Sequence, residues 1–136
     1  MTAPARPVGA RSIDEILGDA RERIRRLTPV EAAERMAAGA LLVDTRPAAQ
    51  RAREGSVPGA LVVERNVLEW RFDPRSEARL DEATGFDVEI MILCSEGYSS
   101  SLAADSLRAL GLEKSADVIG GFQAGAAAGL PVLRGV

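Results

Sequence analysis

Cys94, the only cysteine of the chain, is the residue whose type and surroundings point most directly to chemistry. It follows the apolar run of residues 88–93, and a short polar loop that contains Gly97 comes after it. Beyond the loop, apolar residues recur at helical spacing, at Leu102, Ala103, Leu107 and Leu110. A strand, a tight loop and a helix in this order direct the free N–H groups of the helix toward the sulfur, where they stabilise negative charge. The pattern therefore predicts a reactive thiolate in an anion-binding loop.

The absence of histidine excludes several kinds of catalytic site. The chain has no Ser-His-Asp triad, no Cys-His pair and no histidine metal site. A nucleophilic Cys94 must therefore be activated by loop amides and by the helix dipole. The alternative is that Cys94 is a small buried hydrophobic residue, as many single cysteines are. Its position at the end of a strand, before a polar loop with Gly97, favours the functional interpretation.

The composition indicates one domain with an aliphatic core. The chain has 136 residues, of which 46% are hydrophobic and only 4% aromatic. The net charge of −3 comes with no basic tract, which argues against nucleic-acid binding. No apolar run approaches the roughly 18 residues needed to span a bilayer, and residues 1–11 lack the apolar core of a signal peptide. A single cysteine cannot form an internal disulfide, which fits a reducing compartment, and we expect a cytoplasmic protein.

The segment before the main domain is predicted to be an added helix. Residues 1–11 carry two prolines and are expected to form a flexible N-terminus. Residues 12–27 are predicted to form a helical extension, because Ser12 and Glu15 make a capping-box pattern and one apolar face continues to Leu27. We expect this helix to pack on the side of the domain, with a contact between two copies as the alternative, and its charged face to be solvated.

Strands and helices are predicted to alternate along the main domain. Strands are expected at residues 41–43, 60–63, 88–93 and 117–119. Helices are expected between Thr28 and Gly39 and at residues 47–53, 99–110 and 122–128. The strand at 41–43 has apolar side chains on both faces, as parallel sheets require. This order indicates an α/β fold with a parallel sheet and helices on both faces.

Four short segments resemble, in order, the motifs of the rhodanese-like domains, a family of sulfurtransferases. The resemblance extends from about Leu27 to Val132. The family loop Cys-x-x-Gly-x-Arg-Ser corresponds to Cys94, Gly97 and Ser100, with Ser99 in place of the arginine. The other three segments are Leu42-Val43-Asp44-Thr45-Arg46, Gly55-Ser56-Val57-Pro58-Gly59-Ala60 (with Ser56 for a histidine), and the closing Val118-Ile119-Gly120-Gly121-Phe122 with Gly129-Leu130-Pro131-Val132.

This resemblance implies a fold, a reaction and a set of site residues. The fold is a central parallel sheet of about five strands with helices on both faces, formed by residues 28–136. In the reaction Cys94 takes a sulfane sulfur from a small donor (thiosulfate or a persulfide) as a persulfide, and passes it to a thiol or cyanide. No metal or organic cofactor is implied. Asp44 and Arg46 are expected to brace the loops beside the site. The substrate-binding residues implied are those of the loop, Ser95, Glu96, Gly97, Tyr98, Ser99 and Ser100.

Two departures from the family pattern bear on the substrate. Ser99 removes a fixed cation and a bidentate anion contact from the loop, and Glu96 adds an acidic side chain. Both predict weak activity with thiosulfate or the use of another donor. Arg65, which follows the second strand, is the best candidate for a substrate-binding cation, the alternative being an ion pair with Glu64 or Glu69. Gly120 and Gly121 are expected to let the backbone pass close to the loop.

Two other functions are weighed against sulfur transfer. Phosphatases and arsenate reductases share the fold but have a loop that is one residue longer and ends in arginine, which holds the oxyanion. The loop from Cys94 to Ser99 is shorter and has no arginine, so phosphatase activity is disfavoured. The stronger rival is a non-catalytic binding or sulfur-carrier module, because fold does not dictate function. The sequence leaves the choice between monomer and homodimer open.

Overall fold

The computed structural model describes residues 2–134. Met1 in the predicted flexible segment and residues 135–136 in the predicted domain therefore lie outside the described residues. Six α-helices and five strands are formed within residues 2–134, in the order α1 Ile13–Arg23, β1 Arg25–Leu27, α2 Pro29–Ala37, β2 Leu41–Asp44, α3 Ala48–Glu54, β3 Leu61–Val62, a 3₁₀ turn Arg65–Val67, α4 Leu68–Phe72, β4 Ile90–Leu93, α5 Ser99–Ala109, β5 Ser115–Val118 and α6 Gly121–Ala127.

The five strands form one parallel sheet in the order β1-β5-β4-β2-β3. The central strand β4 is buried along its whole length, which explains its continuous apolar sequence Ile-Met-Ile-Leu. Its carboxyl end leads directly to Cys94. The predicted α/β fold with about five parallel strands is confirmed.

Helices cover both faces of the sheet and enclose two aliphatic clusters. On one face, Leu68 and Phe72 of α4 pack with Leu107 of α5 against β2 and β4. The second cluster joins α2 and α6 to the other side of the sheet and includes Leu27, Ala32, Leu42, Met91, Leu93, Val118 and Phe122. The small side chains of α5, such as Ala103 and Ala104, are fully buried, so this helix lies close to the strand that carries Cys94.

The extension differs from the predicted helix at its end. The helix begins at the Ser12 cap as predicted, with Glu15 completing the capping box, but it ends at Arg23. Residues 25–27 form strand β1 at the edge of the sheet, where Leu27 pairs with Val118. The prediction of helix up to residue 27 is therefore wrong for these residues, because pairing with β5 outweighs an apolar spacing that suits a helix.

Helix α1 packs on the side of the domain, against α5, as expected. Residues 2–11 are exposed and form neither helix nor strand, and their flexibility stays a prediction. None of the helices within residues 2–134 is long and apolar enough to cross a membrane.

Candidate active site

The Cys94 thiol lies in the turn between β4 and α5, and it is 6% exposed. The N–H of Gly97 donates to Cys94 Sγ, with an N···S distance of 3.1 Å. Helix α5 begins at Ser99, so its N-terminus is directed at the same loop. The predicted arrangement of strand, loop and helix therefore surrounds one sulfur atom with N–H donors.

Two glycines allow the loop to take this shape. Gly97 has φ +87°, and a Cβ at this position would lie 2.7 Å from the amide nitrogen of Gly120. A Cβ at Gly121 would lie 2.4 Å from the carbonyl oxygen of Cys94. This close approach lets the amides of Phe122 and Gln123 donate to the carbonyls of Cys94 and Ser95, over 2.8 and 3.0 Å. The predicted close passage of the Gly120-Gly121 backbone is confirmed.

The surroundings of the sulfur change the acidity of the thiol. Burial raises the pKa of Cys94, because a thiolate is less stable away from water. Hydrogen bonds to the sulfur act in the opposite direction, from the hydroxyl and amide of Ser100, the hydroxyl of Ser99 and the amide of Gly97. Together they outweigh burial, and the pKa of Cys94 lies below its ordinary value. The thiol is therefore set up as a nucleophile without any histidine.

The Ser100 hydroxyl has one proton and two acceptors. Its oxygen lies 2.8 Å from Oδ2 of Asp117, and it also neighbours the Cys94 sulfur. A hydroxyl cannot donate to both at once. The hydroxyl lowers the pKa of Cys94 only when its proton turns toward the sulfur and away from Asp117, whereas the Gly97 amide donates to Sγ in either case.

One network of polar residues holds the helix side of the loop. We call it the Arg26 network, and it consists of Arg21, Arg26, Ser100, Ser101 and Asp117. Asp117 is fully buried in β5 and accepts from Arg26 Nε at 2.8 Å and from the Ser101 hydroxyl at 2.7 Å. The carbonyl of Gly97 accepts from Nη2 of Arg21 at 2.8 Å and from Nη2 of Arg26 at 3.1 Å.

A second network holds the strand side of the loop. This Arg46 network consists of Asp44, Arg46, Glu54 and Ser95. Arg46 is fully buried, donates to Asp44 at 2.6 and 3.0 Å and to Glu54 at 3.0 Å, and stacks on the ring of Phe122 at 4.1 Å. The Ser95 hydroxyl in turn donates to Glu54, at 2.9–3.0 Å. This placement fits the bracing role expected of Asp44 and Arg46.

The remaining loop residues lie on the surface. Glu96, Tyr98 and Ser99 are exposed, so the acidic side chain of Glu96 belongs to the rim of the loop. The ring of Tyr98 lies beneath the guanidinium of Arg21, with 5.6 Å between Cζ and the ring centroid. The structure thus brings six of the predicted substrate-binding residues, Ser95 to Ser100, together around Cys94.

Arg65 is not joined to the loop by a hydrogen bond within residues 2–134. Its Nη1 donates to both carboxylate oxygens of Glu69, at 2.9 and 3.0 Å, as the alternative interpretation of the sequence expected. Glu69 also accepts from the hydroxyl of Ser106 on α5 at 2.5 Å. The assignment of Arg65 as a substrate-binding cation stays a prediction.

Neither a metal site nor the apolar cavity of the described residues includes the Cys94 thiol. Within residues 2–134 there is no group of three or more histidine, cysteine or acidic residues that could hold a metal ion. An apolar cavity of about 330 Å³ lies between α2 and α6, and its lining includes Leu93 and Phe122 but not Cys94.

Sequence reasoning missed four residues that contact the loop or its supports. They are Arg21, Arg26, Glu54 and Asp117. A charged residue inside an otherwise buried strand was the one available signal, and it applies to Asp117. Arg21 belongs to the charged face that was expected to be solvated, and Arg26 was given no role, since nothing in the local sequence of the extension separates them from its other charged residues.

Comparisons with known proteins agree with this geometry. Residues 28–128 match the model of the family described as Rhodanese-like domain. No curated protein matches the chain. Among solved structures, a protein of unknown function from Rhodopseudomonas palustris, described as a possible tyrosine phosphatase, is similar over 96% of this chain and 99% of its own, with 30% identity and a TM-score of 0.83.

Two further structures are similar over the domain. A rhodanese-related protein from Thermoplasma volcanium shares 24% identity over 80% of this chain and 97% of its own, with a TM-score of 0.63. A thiosulfate sulfurtransferase from Pseudomonas aeruginosa shares 25% identity over 83% of this chain and 20% of its own, with a TM-score of 0.64. Because the family model matches 101 of the 136 residues (28–128), the chain belongs to the family of rhodanese-like domains.

Proposed function

We propose that this protein is a sulfurtransferase that carries a sulfane sulfur as a persulfide on Cys94. The observation that carries the proposal is the loop around the sulfur, in which the Gly97 amide donates to Sγ over 3.1 Å and further donors lower the pKa of the thiol. A stabilised thiolate is the nucleophile that this reaction needs. Membership of the rhodanese-like family supports the same reaction, and a thiosulfate sulfurtransferase is among the similar structures.

The proposed reaction has two nucleophilic steps. The Cys94 thiolate attacks the outer sulfur of the donor. With thiosulfate, a new S–S bond forms to Cys94, the S–S bond of the donor breaks, and sulfite leaves with the electron pair. An acceptor such as a thiolate or cyanide then attacks the outer sulfur of the persulfide, and Cys94 leaves as a thiolate. The two steps balance without an oxidant, a metal or an organic cofactor.

The loop amides are proposed to stabilise the persulfide as well as the thiolate. The outer sulfur of a persulfide is anionic, and the N–H groups of residues 95–100 belong to the turn that faces Cys94 and to the first turn of α5. Fixed donors of this kind need no rearrangement as the charge moves from one sulfur to the next.

The rim of the loop supports a donor of low charge. The loop from Cys94 to Ser99 contains no arginine or lysine, and Glu96 is exposed beside it. A dianion such as thiosulfate gains no bidentate contact there. For Arg65 to bind an anionic donor, its ion pair with Glu69 must open. We therefore propose a persulfide, on a small thiol or on a protein, as a better donor than thiosulfate, and a cellular thiol as the acceptor in the cytoplasm.

Phosphatase activity is the second candidate, because the similar protein from Rhodopseudomonas palustris is described as a possible tyrosine phosphatase. Against it, the loop has serine at both positions where an oxyanion-binding arginine would stand, Ser99 and Ser100. The Ser100 oxygen is also directed at Asp117, a carboxylate that repels phosphate. We expect no turnover of an aryl phosphate such as p-nitrophenyl phosphate. Hydrolysis that is lost in Cys94→Ser would overturn this assignment.

Intact-mass measurement tests the proposal directly, because the chain has a single cysteine. The protein is incubated with thiosulfate or with a small-molecule persulfide, and Cys94→Ser is the matched control. We expect the mass of one added sulfur with the persulfide, less of it with thiosulfate, its removal by cyanide, and none in the variant. The absence of any added sulfur with either donor would contradict sulfur transfer and favour the non-catalytic module.

A further inference from the structure

Two guanidinium groups converge on one carbonyl of the reactive loop. Arg21 in α1 and Arg26 in β1 both donate to the carbonyl of Gly97, at 2.8 and 3.1 Å. The N–H of the same residue donates to Cys94 Sγ. One side of Gly97 thus contacts the sulfur, and the other contacts two positive charges that belong to the segment before the matched family domain.

The same two arginines are also linked to a buried carboxylate beside the loop, Arg26 directly and Arg21 through Ser101. Asp117 accepts from Arg26, and from the hydroxyls of Ser100 and Ser101. Arg21 Nε donates to the Ser101 hydroxyl at 3.1 Å, which closes the network. The side chain of Arg26 is 21% exposed and that of Asp117 is inaccessible, so this ion pair is screened little by solvent.

We propose that Arg21 and Arg26 are positioning residues for Cys94, and that they supply from behind the loop the positive charge that Ser99 does not. The extension is then a working part of the site and not only a helix packed on its side. The biological meaning of this proposal rests on the proposed sulfur transfer, but the proposal itself concerns the reactivity of the thiol.

Two physical effects connect the arginines to the sulfur. The two guanidinium groups hold the Gly97 carbonyl in place, which fixes the orientation of the residue whose N–H donates to Cys94 Sγ. The charge of Arg26 also neutralises Asp117. Without that charge, a buried carboxylate would repel the thiolate and would bind the Ser100 proton more strongly.

Other charged groups on the elements around the loop do not duplicate this role. The strand side carries Arg46 between two carboxylates, Asp44 and Glu54, so that set has one positive and two negative charges. The loop itself carries exposed Glu96 and the phenol of Tyr98. Arg21, Arg26 and Asp117 give two positive charges and one negative, and within the described part of the chain this set contacts the loop backbone with a net positive charge.

Substitutions in the network are expected to move the pKa of the thiol in opposite directions. Arg26→Gln leaves Asp117 uncompensated and raises the pKa of Cys94, and Arg21→Gln raises it by less. Asp117→Asn removes the negative charge, leaves both arginines, and lowers it. In the double variant Arg26→Gln with Asp117→Asn, the pKa of Cys94 is expected to return toward the wild-type value. A purely structural role would damage the loop in every case and move the pKa in one direction.

The experiment is the pH dependence of alkylation by iodoacetamide, a neutral reagent that reports on the thiolate of the single cysteine. For Arg26→Gln we expect a rate about tenfold lower than the wild type at a pH below the pKa of either thiol, which corresponds to a shift of about one pH unit. Arg26→Lys keeps the charge and is expected to recover part of the rate. Arg23→Gln is the matched control, because Arg23 ends the same helix but pairs with Asp105, at 2.6 Å.

Two outcomes would overturn the proposal. One is a wild-type alkylation profile in Arg26→Gln and Arg21→Gln, and the other is a shift of Asp117→Asn in the same direction as Arg26→Gln. Circular dichroism checks folding, and the partly exposed Arg21 provides the test if Arg26→Gln does not fold. Persulfide formation is measured separately. If the arginine variants change the alkylation rate but no persulfide forms, only the proposed sulfur transfer is contradicted. If a persulfide forms but the arginine variants keep the wild-type alkylation profile, only the positioning role of Arg21 and Arg26 is contradicted.

Discussion

The Arg46 network and the Arg26 network hold the two sides of the same loop, and each is built on an arginine–aspartate pair whose carboxylate is buried. In the Arg46 network the pair is local, because Asp44 and Arg46 are two residues apart. In the Arg26 network the partners are separated by 91 residues and lie on neighbouring strands, β1 and β5. One pair therefore shapes a turn, and the other fastens the edge strand to the strand beside the site.

The networks also differ in charge and in how they reach the loop. The Arg46 network has one arginine and two carboxylates, and it reaches the loop through the Ser95 hydroxyl. The Arg26 network has two arginines and one carboxylate, and it reaches the backbone carbonyl of Gly97 directly. We infer that the first network chiefly contributes stability, and that the second chiefly sets the reactivity of Cys94.

Arg46→Met is expected to have the largest effect on stability. It leaves the buried carboxylate of Asp44 without its partner, a change that typically costs about 3–5 kcal/mol of unfolding free energy. It also removes the stacking of the guanidinium on Phe122. Urea denaturation measures the loss, and the alkylation profile of Cys94 should move less than in Arg26→Gln.

Arg53→Met is the control for this substitution. Arg53 lies on the same helix as Glu54, is exposed, and donates only to the carbonyl of Ala49 within the described residues. The unfolding free energy of Arg53→Met is expected to lie within about 0.5 kcal/mol of the wild-type value. The comparison of the two networks would be wrong if Arg46→Met moved the thiol pKa further than Arg26→Gln while leaving stability near the wild type.

Gly97→Ala is expected to have the next largest effect, at the residue whose carbonyl the Arg26 network holds. The substitution costs about 1–2 kcal/mol for a positive φ. The added Cβ would also lie 2.7 Å from the backbone nitrogen of Gly120, which cannot rotate away. We expect a total loss of about 2–4 kcal/mol. The pKa of the thiol should rise, because the Gly97 amide moves away from the sulfur.

Gly129→Ala separates the two causes. Gly129 has φ +82°, almost the same as Gly97, but a Cβ there meets nothing within 4 Å. We expect it to lose only the conformational part, about 1–2 kcal/mol, and to keep the alkylation profile of the wild type. Equal losses of unfolding free energy in Gly97→Ala and Gly129→Ala would show that the close approach to Gly120 adds nothing to the cost of Gly97→Ala.

The comparison of the networks also explains what the sequence was able to predict. The strand-loop-helix order around Cys94 and the pair of Asp44 and Arg46 are local patterns, and a short window of sequence contains all of their parts. The close packing of Gly120-Gly121 was predictable because only glycine tolerates such an approach. The loop and the glycine approach were therefore predictable from local patterns, whereas the bracing role of Asp44 and Arg46 was implied by the family resemblance and their ion pair was not predicted.

The Arg26 network was not predictable in the same way. Arg21 and Arg26 look like their neighbours on a charged helix, and only the register of β1 on β5 brings Arg26 beside Asp117. The apolar spacing up to Leu27 suited a helix equally well, so the strand that carries Arg26 was missed. Long-range pairing decided both points, and a local pattern contains no information about it.

Glu54→Gln is expected to have the smallest effect on stability, and the pH dependence of that effect shows whether it comes from the charge of Glu54. Burial raises the pKa of Glu54, but the Ser95 hydroxyl and Arg46 more than compensate, and the pKa lies below its ordinary value of 4.5. A carboxylate with a lowered pKa stabilises the folded state above the unfolded pKa, and this contribution disappears as the pH falls through the folded pKa. The variant should therefore be less stable than the wild type by about 1 kcal/mol at pH 7. The difference should persist to about pH 4.5 and shrink below it, as urea denaturation at pH 7, 5, 4 and 3 would measure.

Glu34→Gln, at an exposed position of α2, should show no such difference at any of these pH values. A constant difference between Glu54→Gln and the wild type across the series would mean that Glu54 acts by shape alone, and the charge of the Arg46 network would then have no part in holding Ser95.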